Sequence, residues 1–156
     1  MIRSALSSFS VTLALSAGAA CVDGVQPAPA GLVGEWTVTS WTATRSRSNT
    51  FPGDDAGWSD DPRCAELAEG SLRSRSLRFE ADGGVTVNER ACTAELGVTP
   101  LQVHCPCGHI GAQVCSLSLT LRVDEGGRRL AGEERLGFSY TSPPYCDVRA
   151  DVVARR

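Results

Sequence analysis

Residues 115–123 read CSLSLTLRV, and their alternation decides the fold class. Cys115, Leu117, Leu119, Leu121 and Val123 fall on one side of an extended chain; Ser116, Ser118, Thr120 and Arg122 fall on the other. A period of two marks a strand with one buried and one wet face. The pattern spreads in both directions. DEGG (124–127) is a turn, and RRLAGEERLGFSY (128–140) is one long strand with Gly132 and Gly137 as bulge sites. One of the adjacent Glu133 and Glu134 faces inward. TSPPY (141–145) is a loop, because two prolines cannot feed a central ladder. In CDVRADV (146–152), Cys146, Val148, Ala150 and Val152 point in, with Asp147, Arg149 and Asp151 out. Upstream, SLRFE (76–80), the turn ADGG (81–84) and VTVNER (85–90) make a hairpin. EWTVTSWTAT (35–44) is a further strand, with Trp36 and Val38 on one face and Trp41 on the other. Helix signal is confined to CAELAEG (64–70), stopping at Gly70. Short strands separated by Gly and Pro turns predict an all-β domain, an antiparallel barrel or sandwich.

The chain has 156 residues, 42% hydrophobic and 21% charged, which suits one globular domain. Its net charge is −3, and no basic stripe marks it for nucleic acid. The first 20 residues stand apart. Arg3 is the one charge in MIRSALSS (1–8), and FSVTLALSAGAA (9–20) is apolar and too short for a membrane-spanning helix. A charged start, an apolar stretch and a small-residue ending have the form of a secretory signal peptide. The segment closes on Gly18-Ala19-Ala20-Cys21, which resembles the lipobox of bacterial lipoproteins, with Gly18 where that family prefers leucine. The resemblance implies cleavage before Cys21, acylation of Cys21, and export to a lipid-anchored position on the bacterial cell envelope. Cysteine parity agrees. Of seven cysteines, lipidation of Cys21 leaves Cys64, Cys92, Cys105, Cys107, Cys115 and Cys146, enough for three disulfides in any of fifteen connectivities. The alternative is ordinary signal cleavage after Ala20, which leaves an odd thiol. VDGVQPAPAG (22–31) then reads as a tether, and the domain as residues 32–156.

LVGEWTVTSW (32–41) opens that domain and is similar to the first strand of lipocalin-like β-barrels. Gly34 and Trp36 match that family's Gly-x-Trp motif. The resemblance implies a single up-and-down antiparallel barrel whose tryptophan plugs one end beneath an arginine from the last strand, here Arg149 or Arg155. The chain ends right after its last strand, with no C-terminal helix of the lipocalin kind. A barrel this small is often filled by its own side chains.

HCPCGHIGAQVC (104–115) offers a metal site, a redox centre or structural crosslinks. His104, Cys105, Cys107, His109 and Cys115 include good zinc ligands, but one residue between paired cysteines is too short for the usual knuckle. No Cys-x-x-Cys is present. Pro106 and Gly108 favour a loop, with Cys105 and Cys107 each bridged to a distant cysteine and the two histidines at the surface. Asp54, Asp55, Asp60 and Asp61 surround Trp58 in an acidic loop without calcium-loop spacing. These residues point to an exported, membrane-anchored, non-catalytic binding or interaction protein, with no catalytic residues and no metal or other cofactor. Its partners are membrane lipid through Cys21 and a small apolar ligand or protein that the sequence does not identify. The rival expectations are a metal-binding or thiol-based protein using the 104–115 loop, and a purely structural envelope protein with a filled barrel.

Overall fold

The computed structural model describes residues 26–49, 57–110, 113–124, 126–139 and 145–156, with the side chains of 107–110 and 113–115 left undescribed. The segment expected to be a signal peptide, Cys21, Asp54, Asp55 and most of the 141–145 stretch expected to be a loop fall outside these residues. The strands are β1 (Gly34–Asn49), β2 (Ser59–Asp60), β3 (Ser76–Phe79), β4 (Val85–Val87), β5 (Arg90–Glu95), β6 (Leu101–Ile110), β7 (Gln113–Val123), β8 (Arg129–Ser139) and β9 (Tyr145–Arg155). Each barrel strand pairs antiparallel with the next, and β1 pairs with β9 to close the ring. The result is an eight-stranded up-and-down barrel, with the two-residue β2 added beside the end of β1. Closure leaves the barrel strands without an open edge.

On β7 and β9 the alternation read from the sequence holds at Leu117, Leu119, Leu121, Cys146, Val148, Ala150 and Val152, all buried, and Ala154 continues it. Val123, expected inward, is 41% exposed at the end of β7, and Asp147, expected outward, is buried between two arginines. β1 departs from it. Register shifts between Val38 and Ser40 and between Ala43 and Arg45 insert Thr39 and Thr44 as extra residues. Each bulge reverses which side chains face in. Trp36 and Trp41, expected on opposite faces, are therefore both buried in the core. Bulges expected at Gly132 and Gly137 do not form, since β8 pairs without a shift on both sides. Gly132 serves close approach instead: a methyl group there would overlap the Thr120 carbonyl oxygen of β7.

The returning strand at 85–90 stops at Val87. Asn88 and Glu89 take φ of 49° and 66°, making a two-residue turn of the kind asparagine favours, and β5 follows. The Asn88 amide also accepts from the Arg75 and Ser76 N–H groups and donates to the Arg73 carbonyl. It thereby fixes the chain as it leaves the helical segment.

The 104–107 stretch is strand, correcting the loop expected there. Pairing of β6 with β5 ends near His104, so Pro106 lies where one side of β6 has no ladder to supply. α1 (Pro62–Leu67) begins two residues earlier than expected. Asp61 caps it by accepting from the Arg63 N–H, and Pro62 opens the first turn. A π-helical turn (Ala68–Leu72) carries the segment past Gly70. Cys64, Ala68 and Leu72 are buried in the barrel core, and Cys64–Cys146 bonds α1 to the start of β9. Cys92–Cys105 bridges β5 and β6, with Cα atoms 4.4 Å apart, as suits a non-hydrogen-bonded cross-strand pair.

Candidate functional site

The barrel interior is the first place to look for a ligand. Its lower end is closed by Trp36, fully buried, whose indole Nε1 donates to the Leu32 carbonyl at 2.9 Å. Gly34 precedes it with φ of 126°, a conformation suited to glycine. The arginine over the ring is Arg156, its guanidinium carbon 5.1 Å from the ring centroid. Neither Arg149 nor Arg155 takes that place. Arg155 pairs across from the exposed Thr37 and points outward, and Arg149 lies opposite Arg45, far along the strand. Only the residue after Arg155 has the parity to turn beneath the tryptophan.

Above Trp36 the interior is packed with Phe79, Leu77, Leu119, Leu121, Leu130, Leu136, Val103 and Val148. Midway up sits Glu134, 0% exposed. Its carboxylate accepts from the Trp41 indole at 3.2 Å and from the backbone N–H of Ser74 at 3.1 Å, and the Ser74 hydroxyl donates to it as well. Burial raises its pKa above the ordinary carboxylate value, against the opposing pull of these donors and of Arg73. Arg73 lies 6.0 Å from the Trp41 ring, and its Nε is a buried donor without a partner. Among the described residues, a void of about 120 Å³ beside Leu72, Val87 and Leu117 remains. That volume is far below the several hundred Å³ typical of a small-molecule pocket (~300–1,000 Å³). The interior is a core that ties the helical segment to the barrel wall through Ser74.

The outer surface is different. A groove of about 740 Å³ crosses β5–β9 near the end that carries Asn49 and Cys146. Its floor is shallow in side chains, with Ser116, Ser118 and Gly137 facing out from β7 and β8. His104 and Pro106 rise on one side; Trp58, Tyr145 and Asp147 stand on the other. The Trp58 wall is fixed by Arg47, whose guanidinium lies 4.5 Å from its ring centroid. Arg47 in turn donates from Nε to Asp147 Oδ2 at 2.8 Å. Arg135 Nε donates to the other oxygen, Oδ1, at 2.8 Å. Burial alone would raise the Asp147 carboxyl, but the two arginines outweigh it and hold it below the ordinary aspartate value.

The residues singled out from sequence distribute unevenly over this site. Cys105 lies in a disulfide and is withdrawn from any thiolate or zinc set. His104 lies opposite Ser118 on the outer face, and no hydrogen bond joins them. Cys107 is the register partner of Cys115. Asp60 is exposed on β2 and Asp61 caps α1, so this half of the acidic cluster converges on nothing. Among the described residues, no group of three His, Cys, Asp or Glu side chains is placed to hold a metal ion. Arg47, Arg135 and Asp147 were not singled out. Alternation places Asp147 outward, but its two partners come from strands 100 and 12 residues away. Comparison with protein-family models, with curated proteins and with solved structures finds no match for the chain.

Proposed function

We propose that this chain is an exported lipoprotein, held to a bacterial envelope membrane through acylated Cys21, whose barrel is a non-catalytic binding module working through its outer surface. One observation carries the second half of this reading: the interior is filled, while a groove with fixed aromatic and charged walls lies outside. Two disulfides support an oxidising, exported environment. The signal-like start and the Gly18-Ala19-Ala20-Cys21 sequence support the anchor. The thiol or metal alternative loses Cys105 to its bridge with Cys92. The filled interior also favours a second reading, a purely structural envelope domain, which differs in having no ligand.

Intact mass of the protein from its native host, before and after reduction and alkylation, tests the anchor. The expected mass is residues 21–156 plus acyl chains, with six thiols appearing only on reduction. An unacylated chain, or one keeping residues 1–20, refutes the lipoprotein reading. Thermal melting against a panel of small molecules separates binder from structural domain, since a ligand that binds only the folded state raises its melting temperature.

A further inference from the structure

The sequence shows no basic stripe, yet the fold assembles one. Arg45 on β1, Arg149 on β9 and Arg135 on β8 are direct cross-strand neighbours in one row on the outside of the barrel. Arg47 lies two residues along β1, opposite Asp147. The four arginines share this outer face with three carboxylates, Asp147 on one side of the row and the exposed Asp151 and Glu133 on the other, on a protein whose net charge is −3. Like charges placed directly across a sheet repel. Asp147 answers two of the four through its two oxygens, Arg47 at Oδ2 and Arg135 at Oδ1. Among the described residues, no carboxylate forms an ion pair with Arg45 or Arg149. Arg149 Nε is, moreover, a buried donor with no hydrogen-bond partner. Among the described residues, Arg45 and Arg149 are therefore register neighbours without an ion-pair partner, and the Arg149 Nε is already stripped of water.

The row borders the groove. Arg135 belongs to both, Asp147 lines the groove from the adjoining register row, and Arg47 stacks on the Trp58 wall. Beyond the arginines the groove offers carbon on its walls, from Trp58, Tyr145 and Pro106, with His104 and the Ser116 and Ser118 hydroxyls as polar points between them. Guanidinium forks match carboxylate, phosphate and sulfate oxygens in geometry and charge. A ligand suited to both halves carries an oxyanion at one end and an apolar body at the other. We propose that the arginine row and the adjoining groove bind a monomeric amphiphilic oxyanion, an acyl or aryl chain ending in phosphate, sulfate or carboxylate, with the oxyanion at Arg45 and Arg149 and the apolar body along Trp58. This names a ligand class for the outer-surface binding proposed above and rests on that reading.

The test is calorimetric titration of the oxidised protein with decyl phosphate below its aggregation concentration, beside decanol and inorganic phosphate. Decyl phosphate is expected to bind with a salt-sensitive affinity, about tenfold or more tighter than either half alone. Arg45→Gln and Arg149→Gln are each expected to weaken it about tenfold, the scale of one charge-assisted contact. Arg128→Gln, in the turn at the other end, leaves it unchanged. Circular dichroism melting of each variant establishes that the barrel is intact; if Arg149→Gln does not fold, Arg45→Gln carries the test. Equal binding of decanol and decyl phosphate, or no change in Arg45→Gln, overturns the proposal. So does binding to vesicles containing phosphatidylglycerol with none to decyl phosphate, which would assign the arginines to a membrane surface. None of these failures touches acylation of Cys21, which the mass measurement decides separately.

Discussion

At the scale of single residues, Glu134 is the most consequential side chain in the core. A carboxyl group with no exposed surface is tolerated because three donors converge on it and because burial favours its neutral form. The sign of its effect on stability follows. Its folded pKa lies above the ordinary 4.5, so the folded state holds this proton where the unfolded chain has released it. Its contribution is greatest at low pH, declines as pH rises past 4.5, and levels off above the folded pKa. Glu134→Gln removes the titration while keeping an acceptor for Ser74 and Trp41. The expected outcome is a variant whose melting temperature gains on the parent as pH rises from 4 to 8; a constant difference would mean that Glu134 does not titrate on unfolding. The sequence showed that one of Glu133 and Glu134 had to face in. Choosing between them needed the parity of Leu130, Leu136 and Phe138 on the same strand. Partners in Ser74 and Trp41, 60 and 93 residues away, were beyond any local pattern.

At the scale of elements, legibility tracked how regular each strand is. β7 and β9 alternate regularly, and the sequence reading placed most of each, 115–123 of Gln113–Val123 and 146–152 of Tyr145–Arg155. β1 carries two bulges at Thr39 and Thr44, and threonine is an ordinary strand former that gives no sign of either. β6 was hidden by Pro106 and Gly108, since a proline suits a ladder only where one neighbour is missing, which is a fact of topology. The disulfides belong to this scale too. Cys64–Cys146 closes a separation of 82 residues and Cys92–Cys105 one of 13. Loop-closure entropy gives about 4.5 kcal/mol for the first and about 3 kcal/mol for the second. Urea denaturation of the two paired Cys→Ser variants is therefore expected to rank loss of Cys64–Cys146 as the more damaging. That bond also holds α1 and the Ser74 contact against the barrel, which adds to its cost. Cys107 stands opposite Cys115 in register, so peptide mapping without reduction is expected to find them joined as a third bridge. A free thiol at either position would show that the pair stays open.

At the scale of the whole molecule, the up-and-down order made the fold class accessible from sequence, because each strand's partner is nearly always its neighbour in the chain. The exception is the closing pair. β1 and β9 are hydrogen-bonded over most of their length, from Thr37 opposite Arg155 to Asn49 opposite Tyr145. Removing residues 145–156 would open β1 and β8 together and expose two long edges. Size-exclusion chromatography of that truncation is expected to show soluble oligomers or aggregate, whereas a monomeric product would mean that the remaining strands close on their own.

The same closing pair sets an order of events in the life of the chain. β1, the first barrel strand in chain order, is completed only by β9, which starts more than a hundred residues after β1 does. Until β9 emerges, β1 lacks its longest partner, Cys64 lacks Cys146 as its disulfide partner, and Arg156 is not there to cover Trp36. No N-terminal portion can lock into the native barrel ahead of time. If the chain, exported as proposed above, crosses the membrane unfolded, that delay is an advantage: the barrel closes only after β9 has followed β1 across.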